Sequence, residues 1–137
     1  MRILGIDYGE KRIGIAISDP LGITAQGLPT IECTHREEDL KKIANIVREK
    51  DVKEIVVGLP KHMNNTLSDK AFTVLAFIDS LKKHVHIPIK TVDERLSTVR
   101  ANKAMLEGDL SRKKRKKRID MITAQLILQT YLDMIRK

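Results

Sequence analysis

With 137 residues, 42% of them hydrophobic and 32% charged, the chain has the size and make-up of one globular domain with room for a hydrophobic core. No apolar run approaches the ~20 residues that span a bilayer, and charge interrupts the opening Met1-Arg2-Ile3-Leu4-Gly5-Ile6-Asp7 too soon for a signal peptide. The lone Cys33 excludes an internal disulfide, so a cytoplasmic protein with no membrane partner is expected.

The net charge of +8 is concentrated rather than spread. Arg112, Lys113, Lys114, Arg115, Lys116, Lys117 and Arg118 are consecutive, which leaves the rest of the chain close to neutral. A single basic stripe is the electrostatic footprint of a polyanion partner, usually nucleic acid. The plainer reading is a solvated loop with no partner. Aromatic residues make up only 3% of the chain, so recognition by backbone charge or shape is expected over base stacking.

In chain order, residues 2–7 form an apolar run suited to a strand covered on both faces. A turn at Tyr8-Gly9-Glu10-Lys11 leads to Ile13, Ile15 and Ile17, which alternate as one face of a second strand. A third strand is expected within residues 23–31. Thr34 with Glu37 reads as a capping box ahead of a helix carrying Leu40, Ile43, Ala44 and Val47. Ile55-Val56-Val57-Gly58 forms a buried strand, followed by a helix marked by Ala71, Val74, Leu75, Ile78 and Leu81. A strand through Ile89-Lys90-Thr91-Val92 ends at Asp93-Glu94. A short helix is expected from near Ser97 or Thr98 to about Glu107, where Gly108 stops it. The last helix is placed from about Ile119 to Ile135. This order predicts an α/β fold: an antiparallel three-strand meander extended by parallel strands into a five-stranded mixed sheet flanked by helices.

Three places concentrate the chemistry. Asp7 ends the first strand, where a carboxylate is costly to desolvate unless paired or metal-bound; turn formation ahead of Gly9 is the simpler reading. Asp93 and Glu94 stand at another strand's C-terminal end, where functional groups of α/β sheets collect, and spacing alone leaves both open. A salt bridge from Glu94 to Arg95 or Lys11 is the simpler reading there. Asp120 opens the last helix, and Ala124, Ile127, Leu128 and Tyr131 follow at offsets that put it on the apolar face, with Asp133 on the wet one. Such a carboxylate needs a counter-charge beyond the ~0.3–1 kcal/mol of a helix N-terminus, and a metal ion would supply it; an N-cap is the simpler reading. If the first strand, the 88–93 strand and the last helix pack together, the carboxylates converge into a hard-oxygen site suited to Mg²⁺ or Mn²⁺. Two such ions would serve phosphodiester cleavage, with the basic run beside them to hold the phosphate backbone. Lys11 and Arg12 are open between phosphate contacts and pairing with nearby acids. His62, His84 and His86 lack ligand spacing and read as surface residues, and Cys33 reads as a packing residue.

Four ordered segments carry a resemblance: Asp7 to Asp19 (DYGEKRIGIAISD), Val57-Gly58-Leu59-Pro60 with Met63, Asp93-Glu94-Arg95-Leu96-Ser97-Thr98, and Asp120 with Ile127 to Leu132. Together with the run from Ser111 to Lys117, which is similar to a basic loop of the family, they resemble the bacterial YqgF/RuvX proteins over essentially the whole chain. Members of that family are described as pre-16S rRNA nucleases and as Holliday junction resolvases. The resemblance implies an RNase H-like fold and one nuclease domain over residues 1–137. It assigns metal ligation and catalysis to Asp7, Glu94 and Asp120, and so implies Glu94 over Asp93. It also implies nucleic-acid binding by the basic run, with Lys11, Arg12 and Arg95 as further contacts. Maturation of the 16S rRNA 5′ end is the favoured role and a four-way DNA junction the rival substrate, for a monomer or homodimer. A non-catalytic rRNA-binding assembly factor is the alternative of another class. A phosphotransfer ATPase, suggested by the Asp-x-Gly turn, is disfavoured because 137 residues leave no second lobe. Asn65, where the family usually has glycine, and Thr123, where alanine is common, depart from the pattern without touching a carboxylate.

Overall fold

The computed structural model describes residues 1–60, 67–93 and 112–136, and for 112–117 only the backbone. The opening apolar run is β1 (Arg2–Tyr8), followed by β2 (Arg12–Ser18), β3 (Ala25–Glu32), α1 (Arg36–Glu49), β4 (Val52–Leu59), α2 (Asp69–Leu81), β5 (Ile89–Asp93) and α3 (Arg112–Ile135). The strands form one sheet in the order β3-β2-β1-β4-β5. β1 and β2 pair antiparallel, as do β2 and β3. β4 joins β1, and β5 joins β4, in parallel. This is the mixed five-stranded sheet expected from the alternation of elements. The expected helix between Ser97 and Glu107 lies outside the described residues, as does the loop containing Met63 and Asn65.

The period-two alternation of the strands divides the core between the two faces. Leu4, Ile6, Ile13, Ile15, Ile17, Ile55 and Val57 point one way and pack with Leu40 and Ile43 of α1 and with Val74, Phe77 and Leu81 of α2. Ile3, Ala16, Val56 and Val92 point the other way, onto Ala124, Ile127, Leu128 and Leu132 of α3. Each side chain as fully buried as Ile127 or Leu128 contributes about 1.5–3 kcal/mol through burial. Polar contacts also tie α3 to the sheet: the Gln129 amide accepts from Ala25 N–H (3.0 Å) and donates to the Ile23 carbonyl (3.0 Å). Further along the helix, Tyr131 hydrogen-bonds Glu54 of β4.

Two helix starts differ from expectation. The cap of α1 is His35, which makes no side-chain cap bond. Thr34 instead gives its N–H to Asp39 (3.2 Å) and its hydroxyl to Glu38 (3.2 Å), so the contacts fall one and two residues beyond the Glu37 of a capping box. The other difference has more consequence. α3 begins at Arg112, so the basic run is helical backbone and not a loop. Arg and Lys are good helix formers, and extending an existing helix costs far less than nucleating one.

Candidate active site

The alternation along β1 fixes where Asp7 faces. Ile3 packs with α3, Leu4 and Ile6 pack in the opposite core, and Tyr8 stacks on Phe77 of α2 with ring centroids 4.2 Å apart. Asp7 therefore lies on the α3 side, half-buried, at the C-terminal end of β1. Its register partner on β2 is Gly14. A Cβ built at Gly14 would stand 2.1 Å from the Asp120 carbonyl oxygen and 2.6 Å from its carbonyl carbon. The missing side chain is what lets the α3 backbone rest directly on β2, one strand away from Asp7. A second such approach lies further along the same helix, where a Cβ at Gly5 would be 2.7 Å from Leu128 Cβ. Glycine inside a strand is the sequence signal for a close backbone approach of this kind.

The Asp120 side chain is held from the sheet. Arg12, two residues before Gly14 on β2, donates from Nε to Asp120 Oδ2 at 3.0 Å, with the two side chains 21% and 26% exposed. A charge-assisted bond in a partly desolvated setting is stronger than one on an open surface. The counter-charge that an inward carboxylate requires thus comes from a strand residue 108 positions away in sequence. Since α3 starts at Arg112, Asp120 lies about two turns inside the helix, so it is neither an N-cap nor within the first turn where the helix dipole acts. The expected apolar face is present: Ala124, Ile127 and Leu128 are fully buried, while Asp133 is exposed and paired with Arg136.

The remaining candidates divide. Val92 packs on the α3 side, so Asp93, in register with Leu59, alternates to the opposite face from Asp7 and Asp120. Glu94 and Arg95 lie outside the described residues. Lys11 is exposed in the β1–β2 turn and Arg118 is exposed on α3; for Arg112, Lys113, Lys114, Arg115, Lys116 and Lys117 the helical backbone alone is described. His84 faces Glu37 at 3.3 Å, and His86 is exposed; His62 lies outside the described residues. The Cys33 thiol sits 3.6 Å from the Gly9 carbonyl and is pushed up to about 11, first by burial and then by the charges of Asp39 and Glu32. It is a packing residue, as the sequence suggests. A cleft of about 360 Å³, lined by Tyr8, Gly9, Glu10, Asp69, Lys70 and Thr73, opens toward α2.

Asp7 and Asp120 bring hard oxygen donors to one face, a donor type suited to Mg²⁺ or Mn²⁺. Among the described residues no group of three or more His, Cys, Asp or Glu side chains is gathered, so a third carboxylate would have to come from elsewhere in the chain.

Residues 1–134 match the RuvX family, described as Holliday junction resolvases. The chain belongs to the RuvX family. Its relatives include proteins named "Putative pre-16S rRNA nuclease" from Clostridium acetobutylicum, 54% identical over 98% of this chain and 100% of the relative, and from Clostridium botulinum, 55% identical over the whole of both. Among solved structures it resembles T. thermophilus RuvC in complex with a Holliday junction substrate, at TM-score 0.65 and 13% identity over 99% of this chain and 96% of that one. It also resembles the fowlpox virus resolvase in complex with Holliday junction DNA, at TM-score 0.59 and 12% identity over the full length of both. At those identities the structures establish the RNase H-like fold alone. The family and the relatives agree on a hydrolase of the nuclease class. No described helix of this RuvX-family protein is long and apolar enough to cross a membrane.

Proposed function

We propose that the protein is a metal-dependent endonuclease of the cytoplasm, built as one domain over residues 1–137, that trims the 5′ end of pre-16S rRNA. The observation that carries the reading is the placement of Asp7 and Asp120 on one sheet face, either side of Gly14, with seven consecutive cations on the two helix turns before Asp120. Asp7, Glu94 and Asp120 are the residues assigned to hold Mg²⁺ or Mn²⁺, two ions in all, and to make up the catalytic set. The placement of Asp93 on the opposite face favours Glu94 as the third carboxylate. When bound there, such ions would supply activation of a water nucleophile and stabilisation of charge on the departing oxygen. The chain's own part is to hold the carboxylates in place and to draw in the phosphate backbone. That second task falls to Arg112, Lys113, Lys114, Arg115, Lys116, Lys117 and Arg118, with Lys11 and Arg95 as further contacts.

The names of the relatives favour RNA. The family description and the two resolvase structures favour a four-way DNA junction, which is the second reading. Labelled pre-16S 5′ regions and four-way junctions, each incubated with Mg²⁺ or Mn²⁺, distinguish the two. Wild type, Asp7→Asn and Glu94→Gln are to be compared side by side. Metal-dependent cutting of one substrate, lost in both variants, supports the assignment and selects the substrate. Equal cutting by all three proteins, or salt-sensitive binding with no cutting, points instead to an RNA-binding assembly factor. Sedimentation of the same preparations decides between monomer and homodimer.

A further inference from the structure

The sequence leaves Arg12 open between a phosphate contact and pairing with a nearby acid, and the structure pairs it with Asp120. Its Nε is bonded to Asp120 Oδ2 at 3.0 Å, so the guanidinium sits where a cation approaching that carboxylate would feel it most. Whether the contact helps or hinders cation binding depends on what else holds Asp120. The backbone answers this. The Asp120 carbonyl rests on Gly14, the helix is seated again where Leu128 meets Gly5, and Gln129 pins it to the start of β3. None of these contacts involves Arg12. Removing the guanidinium therefore leaves the Asp120 backbone in position and takes away a positive charge next to its carboxylate.

We propose that Arg12 is a built-in counter-ion, which keeps the carboxylate site from holding a divalent cation tightly while no nucleic acid is bound. This rests on the reading of Asp120 as a cation ligand. The sign follows from electrostatics: a guanidinium beside the same carboxylate would repel a divalent ion, and for a separation of about 5 Å the interaction corresponds, even at the dielectric of water, to roughly tenfold in affinity. Salt reduces that figure, and partial burial of both side chains raises it. The cationic run earlier on α3 adds repulsion of the same sign. A phosphate backbone brings negative charge to both groups, so the penalty is relieved when substrate arrives.

The test is a titration of the nucleic-acid-free protein with Mn²⁺, followed by electron paramagnetic resonance of the unbound ion. Arg12→Gln and Arg12→Met remove the charge, the latter keeping an apolar stem; Arg12→Lys keeps the charge; Asp120→Asn removes the ligand. The expected result is a Kd for Mn²⁺ about tenfold lower in both neutral variants and within about threefold of wild type in Arg12→Lys. Unchanged or weaker binding in the neutral variants overturns the proposal, the first making Arg12 a phosphate contact only and the second a prop for Asp120. Failure of both neutral variants to fold also overturns it, because the helix is required to stay seated without Arg12. Asp120→Asn tests the underlying reading separately. If it leaves Mn²⁺ affinity intact, Asp120 is not a ligand; if it abolishes binding while the neutral variants show no gain, only the counter-ion idea fails.

Discussion

Gly14 is the position at which one added methyl group interrogates both the fold and the site. In Gly14→Ala the new Cβ meets the Asp120 carbonyl oxygen at 2.1 Å and its carbon at 2.6 Å. An ordinary contact needs more than 3 Å, so α3 must lift from β2 by about 1 Å. The obstacle is helix backbone with no rotamer to change, so the helix itself must move. Overpacking of this kind costs about 1–3 kcal/mol, which for a chain of this length lowers Tm by roughly 4–12 °C. A 1 Å displacement of a catalytic carboxylate costs on the order of a hundredfold in turnover, so with Asp120 in its proposed role kcat should fall by that factor at temperatures where the variant remains folded. Gly27→Ala is the control. It faces the same helix, but its Cβ meets side chains instead of backbone, the Met121 Cγ and Sδ at 2.6 and 2.7 Å and the Gln125 Oε1 at 3.2 Å, and a thioether chain can swing aside. Melting curves by circular dichroism and single-turnover cleavage should separate the two variants clearly. If Gly14→Ala behaves like Gly27→Ala in both assays, α3 is not seated as described and the geometry of the site is wrong.

Other consequences can be measured independently. Replacing Lys113, Lys114 and Arg115 with alanine should lower the slope of log affinity against log salt by about 2–3, since each phosphate contact contributes roughly 0.7–0.9. An unchanged slope would take the run out of the interface. With its thiol pushed up to about 11, Cys33 holds about a hundredfold less thiolate at pH 8 than an ordinary cysteine. The higher nucleophilicity of a more basic thiolate offsets part of this, so iodoacetamide should react about tenfold more slowly with native protein than with denatured protein. The same shift sets a direction for stability. The folded thiol keeps its proton when the unfolded one has lost it, so this contribution is complete below about pH 9 and is lost as pH rises toward 11, detectable as a falling denaturation midpoint that Cys33→Ala flattens. Ser18→Ala leaves the buried Ile3 N–H without its 2.8 Å acceptor and should cost about 1–3 kcal/mol in urea unfolding.

The fold was largely legible because its elements announce themselves locally. Ile13, Ile15 and Ile17 alternate, Leu40 and Ile43 repeat at helical spacing, and the meander followed by alternating units leaves few sheets to choose from. What failed was local competition and long-range pairing. Thr34 has the makings of a cap, yet the buried Asp39 draws its N–H and Glu38 its hydroxyl, and the helix starts one residue on. The basic run looks like a solvated loop because charge dominates its composition, though Lys and Arg have no objection to helical backbone. The site shows the same division. Its residues Asp7 and Asp120 stand out by position, one at a strand end and one on an apolar helix face. The bond between Arg12 and Asp120 spans 108 residues, and no periodicity carries that information. Gly14 lay in plain view between Ile13 and Ile15 of β2, where a close neighbour explains a missing side chain.

That the cations continue α3 instead of forming a loop changes what they can do. From Arg112 to Asp120 the helix rises about 12 Å, the span of roughly two phosphates along a strand. Because Gly14 clamps the helix at Asp120, the cationic run and the Asp120 carboxylate are joined by a stiff rod and not by a tether. A tether would supply affinity alone; a rod also fixes which phosphate meets the carboxylates. Inserting one alanine between Arg118 and Ile119 preserves every charge and the helical propensity, but turns the run by about 100° relative to the site. Affinity and its salt slope should survive within a few-fold, while kcat falls at least tenfold or the cut moves along the substrate. Inserting four alanines brings the run back to within about 40° of its original azimuth and should recover most of the rate, with the cut displaced. If both insertions cleave at the wild-type position and rate, the run acts as a flexible attractor and its helical form has no part in registering the substrate.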